Sequence, residues 1–114
     1  IMWAKEAPRE KRKHPRLVCE YSISFEGVKI TGSGTVNNLS LSGCTLQSDT
    51  DVHTGAYLEL QISPPDHESP IQVGLATVRW VNGQESGLGF INLDTEQQKR
   101  LRRLLDSLEA RPSH

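Results

Sequence analysis

Arg12 and Arg16 stand four residues apart in Arg12-Lys13-His14-Pro15-Arg16. Pro15 keeps this segment out of a regular helix, so the two guanidiniums can reach a ligand from two directions. Arginine suits that task because its planar fork bonds a phosphate, or the O6/N7 edge of guanine, bidentately. The second segment able to do such chemistry is Asn38-Leu39-Ser40-Leu41-Ser42-Gly43. Asn38 offers an amide for a base edge, Ser40 offers a hydroxyl, and Gly43 permits close backbone approach or positive φ. Each segment also has a plain structural reading, since Asn-Leu-Ser is a turn and basic arms are common.

Catalytic constellations are thin. Neither a G-x-S-x-G nor a Walker sequence is present. His14, His53, His67 and His114 fall in loops or tails and share no metal spacing with Cys19 and Cys44. Asp49 and Asp51 sit in a turn-rich stretch, where local turn hydrogen bonds are their expected use. No acid–base pair of plausible geometry can be named, so the chain is read as a non-enzyme without metal or cofactor. Two cysteines cannot make a disulfide scaffold. No charged segment followed by an apolar one opens the chain, so no signal peptide is expected, and both thiols are expected reduced in a cytoplasmic protein.

Charge is unevenly spread. Residues 1–16 hold six Lys/Arg against two Glu, whereas residues 17–93 hold two basic residues against eight acids. A basic arm ahead of an acidic body suggests an anionic partner: a nucleotide, a nucleic acid or a lipid surface. The chain has 114 residues, 35% of them hydrophobic and 24% charged, which suits one globular domain and excludes a wholly disordered chain. No run of 18 apolar residues exists, so no helical membrane span is expected. With aromatic residues at only 5%, a broad stacking platform for single-stranded nucleic acid is not expected.

The elements that must position these residues follow from periodicity. Leu17, Cys19, Tyr21, Ile23 and Phe25 alternate as a half-buried strand, Glu26-Gly27 reads as a turn, and Val28 to Val36 continue as its hairpin partner. Gly32 and Gly34 suggest a bend or bulge there. Asn38 to Gly43 then form the loop before a short strand at Cys44 and Leu46. Leu58, Leu60 and Ile62 make a fourth strand. A fifth runs from Ile71 to Val81, with a bulge near Gly74 to Ala76, and Asn82-Gly83 turns into a sixth from Gly87 to Leu93. After Asp94 the period becomes 3.6. Asp94 and Gln97 form a capping box, and Leu101, Leu104, Leu105 and Leu108 form one stripe. The fold class is all-β: a small six-stranded antiparallel β-barrel with a C-terminal α-helix over or in an open end. Residues 1–10 are expected to be a flexible basic arm and residues 11–110 the barrel domain with its helix.

Arg12…Arg16 followed by Asn38-x-Ser40-x-x-Gly43 resembles the two motifs of the PilZ domain family, bacterial receptors for cyclic di-GMP. Thr77-Val78-Arg79-Trp80, Gly87-Leu88-Gly89-Phe90 and the helix after Asp94 extend the likeness from about Lys11 to Leu108. The resemblance implies the same six-stranded barrel with a C-terminal helix. It implies that Arg12 and Arg16 bind guanine edges and phosphates, that Asn38 reads a guanine edge, that Ser40 donates to the ligand and that Gly43 lets the loop pack close. Trp80 would wall the site. Lys11 would add a phosphate contact, and its place before the first arginine favours an intercalated ligand pair. The output would be a conformational change, an arm that orders over the ligand and presents a surface to an unknown protein partner. A nucleic-acid-binding module would use the same basic arm, but the acidic strand region and few aromatics argue against it. The intact Arg, Asn, Ser and Gly positions argue against a domain that binds only protein.

Overall fold

Alternation sets the strands, and in the computed structural model, which describes residues 16–65 and 69–110, the strands turn most of their apolar residues inward, while Val18, Tyr57, Trp80, Val81 and Ile91 are exposed. Lys11, Arg12 and the arm ahead of them lie outside the described residues. The strands are β1 (Leu17–Gly27), β2 (Ile30–Leu39), β3 (Gly43–Gln47), β4 (Tyr57–Ser63), β5 (Ile71–Asn82) and β6 (Glu85–Asn92). They close a barrel in the order β1-β2-β3-β6-β5-β4, with β4 returning to pair with β1, and every pairing is antiparallel. Closure removes the unpaired edges that a sheet of this size would otherwise expose.

Inside the barrel, Ile23, Phe25, Val36, Leu39, Leu46, Leu58, Ile62, Val73, Val78 and Leu88 form one buried cluster. Helix α1 (Thr95–Ala110) adds Leu101 and Leu105 to it and packs chiefly on β5 and β1. Asp94 caps α1 by accepting the Gln97 backbone N–H at 3.0 Å. The expected capping box is replaced by a tertiary contact, because the Gln97 side-chain oxygen accepts the backbone N–H of Gln72 at 2.9 Å. The residue that would have closed the cap instead ties the helix to β5.

Two turns are displaced from their expected positions. The β1–β2 turn is Val28-Lys29, closed by the pair Gly27↔Ile30, with Lys29 at φ 60°. The β5–β6 turn is Gly83-Gln84, closed by Asn82↔Glu85, with Gly83 at φ 64°. There a glycine at the first central position supplies the positive φ of a tight hairpin. The expected bulge near Gly74 to Ala76 is present as a register shift between Leu75 and Ala76. Pairing is regular through Gly32 and Gly34, and the irregularity of β2 falls beyond them, at Asn37.

Cys44 is buried and Cys19 partly so, and both are free thiols. Burial pushes the Cys44 thiol up from 9.0 to about 12, against the pull of the nearby Arg16 charge, and the Cys19 thiol up to about 11. The folded state therefore holds these protons more tightly than the unfolded chain. Their stabilisation is complete below about pH 9 and declines as pH rises towards 11–12. At pH 8, Cys44 is expected to resist a disulfide-exchange reagent in native protein and to react on unfolding in urea. Rapid native labelling of Cys44 would contradict the packing described here.

Candidate functional site

Strict alternation from Val36 would turn Asn38 into the core. The register instead slips at Asn37: Val36 pairs with Leu46, whereas Asn38 pairs with Thr45. One extra residue turns every later side chain over. Leu39 becomes a buried core residue and Asn38 is delivered to the outer face. Asn38 therefore belongs to β2, not to the loop expected to begin there, and it pairs with Val18 on one side and Thr45 on the other.

A second slip, between Val78 and Trp80, does the same on β5. The even-numbered run Ala76, Val78, Trp80 reads as one face, yet Val78 is buried while Trp80 is 43% exposed. Arg79 is the extra residue, and Trp80 pairs with Gly87 on the outside. These slips bring a row of outward residues into register: Val18, Asn38, Thr45, Gly87 and Trp80 on β1, β2, β3, β6 and β5.

The middle of this row is low. A β-carbon at Gly87 would fall within the Trp80 indole, and one at Gly89 would collide with the Arg79 guanidinium. Gly43 pairs with Gly89, and a β-carbon there would strike the Leu88 carbonyl oxygen. The outer face thus carries a trough left by Gly43, Gly87 and Gly89, in which the Trp80 indole lies over Gly87 and the Arg79 guanidinium over Gly89, so that these glycines and Thr45 are buried. Arg79 and Trp80 lie on one side, and Arg16 and Asn38 on the other.

Arg16 lies just before β1 and donates from Nη1 to Asn38 Oδ1 at 3.0 Å. Thr45 Oγ1 donates to the same oxygen at 2.9 Å. One residue from each motif is therefore joined by a hydrogen bond across 22 residues of sequence. Ser40 is placed differently. It is fully buried, its Oγ accepts the Ser42 backbone N–H at 3.1 Å, and it lies 3.3 Å from the Gly43 carbonyl. The Ser40 backbone N–H also donates to that carbonyl at 2.9 Å, so Ser40 and Gly43 fold the loop upon itself. Arg16, Asn38, Gly43 and Trp80 share the trough, and Ser40 supports it from below. Lys11 and Arg12 lie outside the described residues.

Sequence reasoning missed Thr45, Arg79 and the Gly87/Gly89 pair as parts of this surface. Period two already turned Thr45 away from Cys44 and Leu46, and Gly-x-Gly already denied β6 an outer side chain. A cavity between α1 and the β4–β5 connection, lined by Pro64, Ile71, Arg100, Arg103 and Leu104 among others, contains none of the motif residues. Among the described residues, no group of three His, Cys, Asp or Glu side chains could hold a metal ion.

The model of the PilZ domain family matches residues 10–107. The chain belongs to the PilZ domain family. This PilZ domain is similar in fold to the PilZ domain with c-di-GMP of YcgR from Escherichia coli, with TM-score 0.73 and 15% identity over 87% of this chain and 92% of that one. It is similar to the Bacillus subtilis inhibitor of motility MotI/DgrA, with TM-score 0.70 and 19% identity over 89% of this chain and 53% of that one. It is also similar to the PilZ domain of CeSA from a cellulose-synthesizing bacterium, with TM-score 0.65 and 14% identity over 83% of this chain and 98% of that one. At these identities the likeness is one of fold. A comparison with curated proteins gave no match.

Proposed function

We propose that this PilZ domain is a non-enzymatic receptor for cyclic di-GMP that binds the ligand on the outer trough. The observation that carries the reading is the Arg16–Asn38 hydrogen bond, which unites the arginine motif and the Asn-x-Ser-x-x-Gly motif at the rim of this trough. The similar PilZ domain of YcgR, whose structure holds c-di-GMP, supports the choice of ligand.

Each residue then has a task. Arg16 and Arg12 clamp phosphate and guanine edges, and Lys11 adds a phosphate contact that favours an intercalated pair. Asn38 reads a guanine edge, and Trp80, whose indole lies over Gly87, offers a partly exposed aromatic wall. Gly43 and Ser40 shape the loop. A direct bond from the Ser40 hydroxyl to ligand requires that hydroxyl to leave its contacts within the loop. Binding draws the arm carrying Lys11 and Arg12 over the trough, and the surface so formed is what a protein partner reads. The setting is the bacterial cytoplasm, with no cofactor. No helix among the described residues is long and apolar enough to cross a membrane.

Guanine selectivity tests this assignment. Replacing guanine by adenine exchanges the O6 acceptor for an N6 donor and sets donor against donor at an arginine. Cyclic di-AMP is expected to bind about 5- to 150-fold more weakly than cyclic di-GMP in parallel titrations, the cost of one such mismatch. Equal affinities would remove the base-reading roles of Arg16 and Asn38. Amide hydrogen exchange tests the output: cyclic di-GMP should protect residues 9–17 and 37–44 and leave α1 nearly unchanged. No gain of protection in residues 9–17 would contradict the arm's part in the switch.

A further inference from the structure

The contacts of Asn38 fix which end of its amide faces a ligand. Arg16 Nη1 lies 3.0 Å from Asn38 Oδ1, and a guanidinium has no acceptor, so the atom facing it is the amide oxygen. Thr45 Oγ1 lies 2.9 Å from that same oxygen, so the threonine is the donor. Asn38 Nδ2 has no hydrogen-bond partner among the described residues and is not among their buried unsatisfied atoms, so it reaches solvent.

The two donors to Oδ1 are not equivalent. Arg16 is the residue a phosphate or a guanine edge would recruit, and its bond to Asn38 is then weakened or lost. Thr45 is only 8% exposed, on a paired position of β3 between Asn38 and Gly87, and cannot leave. Without its hydroxyl, the amide can turn over as Arg16 is drawn to the ligand.

We propose that Thr45 is a positioning residue for recognition: it holds the Asn38 oxygen against β3, so that the amide N–H groups face solvent beside Arg16 and select a hydrogen-bond acceptor on the ligand. On guanine the matching acceptors are O6 and N7. This inference rests on the reading of the trough as a cyclic di-GMP site.

The test compares the full chain with Thr45→Val, Thr45→Ser, Asn38→Ala and the double variant Thr45→Val/Asn38→Ala, by calorimetric titration with cyclic di-GMP. Thr45→Val keeps the shape and removes the hydroxyl, and should weaken binding by about 3- to 10-fold, the range for one neutral hydrogen bond. Thr45→Ser should restore affinity to within about twofold, a margin below one such bond. The double variant should bind no more weakly than Asn38→Ala, because Thr45 acts only through Asn38. Wild-type affinity in Thr45→Val, or losses that add in the double variant, would overturn the proposal. The side-chain amide NMR signals of Asn38 read the same lock in the free protein. They should move in Thr45→Val and stay in place in Thr45→Ser. Unmoved signals in Thr45→Val would overturn the lock, whereas absence of cyclic di-GMP binding by the wild type would overturn the ligand assignment.

Discussion

Arg16→Ala is expected to weaken cyclic di-GMP binding by about 10- to 100-fold while leaving the barrel folded. A charge-assisted hydrogen bond contributes roughly 1.5–3 kcal/mol, which converts to that range. Arg16 acts twice, as a cation at the rim of the trough and as a donor to Asn38 Oδ1. The fold tolerates its loss because Arg16 lies one residue ahead of β1, whose pairing begins at Leu17↔Leu39. Asn38 also keeps its bond from Thr45. Arg16→Lys should recover only part of the affinity, since an ammonium keeps the charge but cannot make the planar two-pronged contact. Titration and thermal melting of the three proteins separate these effects. Unchanged affinity in Arg16→Ala would remove Arg16 from the site, and a collapsed melting curve would make it a structural residue.

Gly43→Ala is expected to damage fold and site together. The added β-carbon would strike the Leu88 carbonyl oxygen, which belongs to the strand that pairs with β3 at this position. Backbone cannot swing aside as a flexible side chain can, so β3 must move away from β6. Overpacking of this kind costs about 1–3 kcal/mol. The displacement also reaches the Ser40 loop, because the Gly43 carbonyl accepts the Ser40 backbone N–H at 2.9 Å. A melting temperature lowered by about 4–12 °C, the shift such a cost gives in a domain of this size, is therefore expected alongside weaker ligand binding. Gly55→Ala is the contrast. Gly55 has φ 91° but nothing within 4 Å of an added β-carbon, so its substitution strains the backbone without touching the trough. Loss of stability in Gly55→Ala with unchanged affinity, against loss of both in Gly43→Ala, is the expected pattern. A Gly43→Ala protein as stable as wild type would contradict the close packing of β3 on β6.

Strand number, the antiparallel barrel and the helix were legible because buried alternation is written locally, as in Tyr21, Ile23 and Phe25. The bulge at Leu75/Ala76 was legible for the same reason, since the apolar register itself slips there. The slip at Arg79 was hidden because Trp80 is apolar and continues the run of Ala76 and Val78, although it faces outward. The slip at Asn37 left a sign, the even Val36 and odd Leu39 both buried, but a loop explained that sign equally well. A bulge belongs to a pair of strands, and its place depends on a partner many residues away. The same limit hid Thr45, whose contact with Asn38 exists only once β2 and β3 are in register. The motif residues were named from their resemblance to the family, and the fold adds that Arg16 and Asn38 touch.

Isothermal titration of the full chain with cyclic di-GMP tests the central claim most directly. The account predicts saturable binding with a dissociation constant of about a micromolar or tighter, equivalent to about 8 kcal/mol, reduced about 10- to 100-fold by Arg16→Ala as one charged bond is lost. Absence of saturable binding by the wild type, or binding that Arg16→Ala leaves unchanged, would contradict it.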